Sequence, residues 1–97
     1  MKVKILESAT EDLVKGYDFY ENLNKGLGNY FLDTLFSDID SLQLYGGIHQ
    51  KYFGYRRMLS KRFPFAIYYK VAEDTVIVYA ILDCRQNPET IKKKLRF

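Results

Sequence analysis

The hydrophobic pattern of this chain changes period half-way along it. Between Ser8 and Leu42 apolar residues recur three and four positions apart, as on one face of a helix. Between Tyr52 and Cys84 they come in runs of strand length, rich in β-branched and aromatic side chains. With 97 residues, the chain has room for one modest core. Helices and strands must therefore pack on each other, in a single domain over residues 1–97.

Residues 2–7, KVKILE, alternate charge with Val3 and Ile5, the pattern of a short half-buried strand. Ser8 followed by Glu11 fits a capping box at a helix start. Leu13, Tyr17 and Tyr20 continue that helix on one face, and Gly16 weakens it slightly. NKGLG at 24–28 is a turn. Leu32, Leu35, Phe36, Ile39 and Leu42 form a second helical stripe with Asp33, Asp38 and Asp40 off it, ended by the glycines of YGG. Two helices on a short connection read as an antiparallel hairpin.

Three strands follow, over Tyr52–Lys61, Pro64–Ala72 and Thr75–Cys84, joined by turns short enough for hairpins. TVIVYAIL in the last is apolar on both faces, which predicts burial from two sides. Pro88 opens a short final helix. The predicted order is β-α-α-β-β-β plus that helix: an α+β fold with a mainly antiparallel sheet packed on one side by the helical hairpin.

Charge follows the same division. Residues 1–50 carry four lysines against eight acids, and residues 51–97 eleven cations against four acids. The basic half suggests an anionic partner; mutual neutralisation within the fold is the alternative. One cysteine, Cys84, cannot form an internal disulfide, so a cytoplasmic protein is expected. No apolar run is long enough for a signal peptide or a membrane helix, so no membrane partner is expected.

The opening strand with ESATEDL, the hairpin YRRMLSKRFPFAIYYKV and the segment VIVYAILDCRQNPETI, in this order, resemble the RelE/ParE toxin superfamily of bacterial type II toxin–antitoxin systems. The resemblance covers nearly the whole chain. It implies a toxin, of the kind used in plasmid stabilisation, neutralised by a cognate antitoxin. It also implies a choice of target: ribosome and messenger RNA for the RelE branch, which cleaves the message, or DNA gyrase for the ParE branch.

Cleaving RNA through its 2′-hydroxyl needs a base, a cation for the charge on phosphorus and an acid for the leaving oxygen. Arg56 and Arg85 stand where the resemblance places two such cations, and are the candidates for that chemistry. Met58, Ala66 and Ile91 stand where further functional residues would be, which makes the chain look more like the ParE branch. His49 reads as an exposed loop histidine rather than a base, Asp83 as half of a surface ion pair with Arg85, and Cys84 as a half-buried thiol. One histidine and one cysteine make no metal-ligand set, and the glycines form no phosphate cradle, so no metal or cofactor is expected.

The binding reading assigns Arg56, Arg57, Lys61, Arg62 and Arg85 to a target-facing surface, supported by Lys92, Lys93 and Lys94. Lysines that only discourage strand pairing at an edge are the plain alternative. Tyr68 is the candidate exposed aromatic for a nucleic-acid binder. An antitoxin could add a strand to an open sheet edge, or lay a helix along Tyr17, Tyr20, Phe31 and Leu35. Those four residues could equally pack on the sheet.

Overall fold

A computed structural model describes residues 1–96 of the chain. Its elements are β1 (Lys2–Ile5), α1 (Glu7–Leu23), α2 (Leu27–Asp40), α3 (Leu42–Tyr45), β2 (Lys51–Tyr52), β3 (Tyr55–Leu59), β4 (Phe65–Ala72), β5 (Thr75–Asp83) and α4 (Pro88–Lys94). The five strands form one sheet in the order β1-β5-β4-β3-β2. β1 runs parallel to β5, and every other pairing is antiparallel. This is the expected α+β arrangement.

Alternation along β4 separates two cores. Phe65, Ile67 and Tyr69 point to the helical hairpin and pack with Leu13, Phe31, Leu35 and Ile39. Ala66 and Tyr68 point the other way, to Ala80, Leu82, Ile91 and Leu95. The hairpin thus covers one face, and α4 covers part of the opposite face. β5 is buried from both sides, as its apolar run implies. Tyr68 is 2% exposed, so it is a core residue and not a stacking platform.

Two local expectations change. The predicted strand Tyr52–Lys61 is broken at Phe53 and Gly54, whose φ angles of 54° and 86° make a tight primed turn. The apolar pattern runs through that turn and conceals it. The capping box at Ser8 does not form: Leu6 is the N-cap, with no side-chain cap. Ser8 Oγ instead donates to the Tyr79 carbonyl at 2.7 Å.

That contact belongs to a larger device. β1 ends at Ile5, so the far half of β5, paired with β4 on one edge, has no strand on the other. Leu6 N–H donates to Val78 O at 3.0 Å, Ser8 takes Tyr79 O, and Asp12 Oδ2 accepts from Ile81 N–H at 2.9 Å. Side chains four apart on α1 therefore replace the missing strand. A register shift between Tyr68 and Tyr69 leaves Tyr79 as the extra residue of β5. It is this bulge that brings both Val78 and Ile81 to the hairpin side.

Gly16 has a stronger role than a weak helix former. A Cβ there would lie 2.4 Å from the Phe31 ring, so glycine lets α1 and α2 approach. Phe31 then packs against Tyr20, Phe63 and Phe65, with ring centroids 5.2, 5.1 and 5.0 Å away. Such edge and offset contacts add to the burial term. At the other end of the chain Asn87 caps α4 through Glu89 N–H, with Pro88 at the first position as expected. Tyr55 hydroxyl donates to Leu95 O at 3.0 Å and ties the end of α4 to the sheet.

Candidate functional site

The cations of the β3–β4 segment do not form one patch. Arg56 and Arg57 are neighbours on a strand, so their side chains leave opposite faces of the sheet. Arg56 Nη1 donates to the His49 carbonyl at 2.8 Å. The Arg57 guanidinium lies 3.8 Å over the Tyr52 ring. Lys61 and Arg62 sit in the β3–β4 loop, where Arg62 donates to the Tyr30 hydroxyl at 2.7 Å. Arg85 grips Asp83 with two nitrogens, at 2.7 and 3.0 Å. Those hydrogen bonds hold the Asp83 carboxyl below the usual range.

Arg62 and Arg85 share one end of the sheet, because Cys84 N–H donates to Pro64 O and Phe65 pairs with Asp83. Arg56 pairs with Tyr69, four residues further along β4. The backbones of Arg56 and Arg85 are therefore roughly 15 Å apart.

The loop carrying Lys61 and Arg62 is anchored from below. Asp38 is 3% exposed, and its Oδ2 accepts from Ser60 Oγ at 2.7 Å and from Lys61 N–H at 3.4 Å. Asp38 lies off the apolar stripe of its helix. It is buried because the loop folds over α2 and needs an acceptor there; nothing local to Asp38 signals this.

The helical hairpin offers a different surface. Between α1 and α2 runs an apolar groove of about 360 Å³ lined by Leu13, Val14, Tyr17, Leu32 and Phe36. Val14 is 53% exposed and Phe36 43%. Of the four residues expected to meet an antitoxin, only Tyr17 lines this groove. Tyr20, Phe31 and Leu35 are buried in the core against the sheet. The apolar stripe of α2 is wide enough to feed both surfaces, which hides Phe36 as a groove residue, and Val14 of α1 lines the groove without belonging to the Leu13, Tyr17, Tyr20 face read from the sequence.

The model of the family described as ParE toxin of the type II toxin–antitoxin system, parDE, matches residues 3–88. The chain belongs to the ParE toxin family. A solved structure described as the chromosomal ParDE TA system from P. aeruginosa has the same fold, with a TM-score of 0.74 over 84% of this toxin and 92% of that chain. The identity is 22%. No curated protein sequence matches the toxin.

The positions weighed for RNA cleavage are mostly internal in this toxin. Met58 is 8% exposed, Ala66 0% and Ile91 7%. His49 is half-buried rather than an open loop residue. Its Nδ1 meets the Tyr69 hydroxyl, which also accepts from Gly47 N–H at 3.0 Å. With Gly47 N–H donating to its oxygen, the Tyr69 hydroxyl has its own proton available for Nδ1 of the neutral ring. Burial, and then the Arg56 guanidinium, lower the His49 pKa. Burial raises the Cys84 thiol. Among the described residues no helix is long and apolar enough to cross a membrane.

Proposed function

We propose that this ParE-type toxin acts in the cytoplasm by binding DNA gyrase, and that its antitoxin lies in the groove between α1 and α2. The observation that carries the reading is the filling of the would-be catalytic positions. Met58, Ala66 and Ile91 are packed inside the two hydrophobic clusters. Arg56 and Arg85 are each engaged within the chain and stand on different parts of the sheet. This weighs against the alternative, ribosome-dependent cleavage of messenger RNA, which needs cations converging on one phosphate.

Arg57, Lys61 and Arg62 remain the residues assigned to target contact. Arg57 and Arg62 are pre-ordered on tyrosines, which lowers the entropy lost when a partner takes them up. The α1–α2 groove suits an amphipathic helix, which would bury Val14 and Phe36. Beyond the two-residue β2, the outer edge of β3 at Leu59 suits added strand pairing.

Supercoiling by the gyrase of the host, with purified toxin added, tests the proposal. Inhibition near stoichiometric amounts supports it. Unchanged supercoiling at a large excess, or message cleavage on ribosomes lost in a folded Arg85→Ala variant, overturns it.

A further inference from the structure

The helical hairpin holds most of the acids of the sequence, and part of the basic remainder gathers on the sheet face that the hairpin leaves open. Residues 7–40, the helical hairpin, carry two lysines against eight carboxylates. The remainder carries thirteen cations against four carboxylates. Val3 and Ile5 pack on the hairpin-side core, so the alternating Lys2 and Lys4 leave the opposite face. Lys4 pairs with Ile77, and Ile77 with Lys70, which puts both lysines in one row across the sheet. Lys70 Nζ lies 4.6 Å from the Tyr55 ring centroid and 5.5 Å from that of Tyr79. Arg57 lies over Tyr52 on the same side, and α4, which carries the exposed Lys92 and Lys93, packs on that side too.

We propose that this open face of the sheet is a docking surface for the phosphate backbone of duplex DNA. Neighbouring lysines on β1 are about 7 Å apart, and Lys4 and Lys70 are two strand spacings, or about 10 Å, apart. A duplex presents one charge per ~1.7 Å of its axis, so each cation meets its own phosphate. Among the described residues, the ion pair is Arg85 with Asp83, so Lys2, Lys4 and Lys70 have no carboxylate at ion-pair distance there. Exposed carboxylates near it in the chain are Glu73 and Asp74 in the β4–β5 turn and Glu89 at the start of α4.

The choice of duplex over single strand follows from the tyrosines. Tyr52, Tyr55 and Tyr79 carry the chain's own cations on their rings, so the face offers charge and no bare stacking platform for unpaired bases. The choice of DNA over RNA rests on the gyrase reading, since gyrase works on duplex DNA. The surface lies on the opposite side of the sheet from the α1–α2 groove, so an antitoxin in the groove leaves it open.

Fluorescence anisotropy of a labelled duplex DNA with the full chain tests this without gyrase present. For about six phosphate contacts, one for each of Lys2, Lys4, Arg57, Lys70, Lys92 and Lys93, binding should weaken roughly 1,000-fold between about 50 and 200 mM salt. A Lys2→Ala/Lys4→Ala/Lys70→Ala variant, altered only at exposed positions, should bind at least tenfold more weakly at the lower salt. With about three contacts left, it should lose only roughly 40-fold over the same range. A Lys15→Ala/Lys25→Ala variant on the hairpin should match the parent. Circular dichroism checks that both variants are folded, and Lys92→Ala/Lys93→Ala is a second variant expected to weaken binding. Absence of saturable binding, equal binding by the triple variant, or poly-glutamate or duplex RNA competing as well as DNA would overturn the proposal. Because the probe is bare DNA, loss of the gyrase reading alone would show as intact DNA binding with unaffected supercoiling.

Discussion

Asp12 Oδ2 accepts the backbone N–H of Ile81 at 2.9 Å, joining a helix side chain to a strand edge across 69 positions of sequence. With Ser8, it completes the β5 edge where β1 stops. An unpaired amide at that half-buried place would cost about 1–3 kcal/mol. Asp12→Ala should destabilise the toxin by that order in urea unfolding. Asp12→Asn, which keeps an acceptor, should be nearly neutral. Burial raises the Asp12 pKa in the folded state. Its titration therefore favours the fold below the ordinary value of 3.8, and that contribution is lost as pH rises through the raised one. At neutral pH the Asn variant should be at least as stable as the parent. Equal stability of the Ala variant would remove the edge-closing role.

Gly16→Ala sets two effects against each other. Alanine gains about 1 kcal/mol of helix propensity. Its Cβ, however, would stand 2.4 Å from a fully buried Phe31 ring that has no room to move. Overpacking of this kind costs about 1–3 kcal/mol, so net destabilisation is expected. A rise in melting temperature would contradict the account of how α1 and α2 meet.

His49 should make stability depend on pH. Folding favours its neutral ring, since burial and Arg56 lower its pKa from 6.5. The contribution is present above 6.5 and lost as pH falls through the lowered value. The toxin should be less stable at about pH 5 than at about pH 8, and His49→Asn should show a smaller difference. An identical pH profile for the variant would show that the Tyr69 contact carries no such linkage.

The groove residues divide cleanly from the core residues beneath them. Phe36→Ala should leave the toxin folded and weaken antitoxin binding by at least tenfold, as removal of a buried aromatic anchor does. Phe31→Ala should instead cost about 3–5 kcal/mol of stability. Calorimetry with the purified antitoxin, beside thermal unfolding of each variant, separates the two. Unchanged antitoxin affinity in Phe36→Ala would place the antitoxin elsewhere.

Much of this architecture was legible in the residues. The two hairpins of the second half follow from strand-length apolar runs broken by polar turns, and α4 from Pro88. What escaped reading depends on contacts distant in sequence. Ser8 has the spacing of a capping box, but its hydroxyl is used by Tyr79, seventy-one positions on. Phe31 and Phe36 both lie on apolar α2; only the positions of α1 and β4 decide that the first is core and the second groove. Arg85 stands near a carboxylate in sequence, and its ion pair was expected. The Tyr30 hydroxyl that holds Arg62 is thirty-two residues away, and no local pattern links them.

The account requires two separate faces: an antitoxin groove on the hairpin and a target surface on the sheet and its loops. The direct test is gyrase supercoiling with a Phe36→Asp toxin, with and without antitoxin. The variant should inhibit as the parent does, and added antitoxin should no longer restore supercoiling. Restoration by antitoxin as complete as for the parent, or a folded variant that no longer inhibits, would contradict the separation.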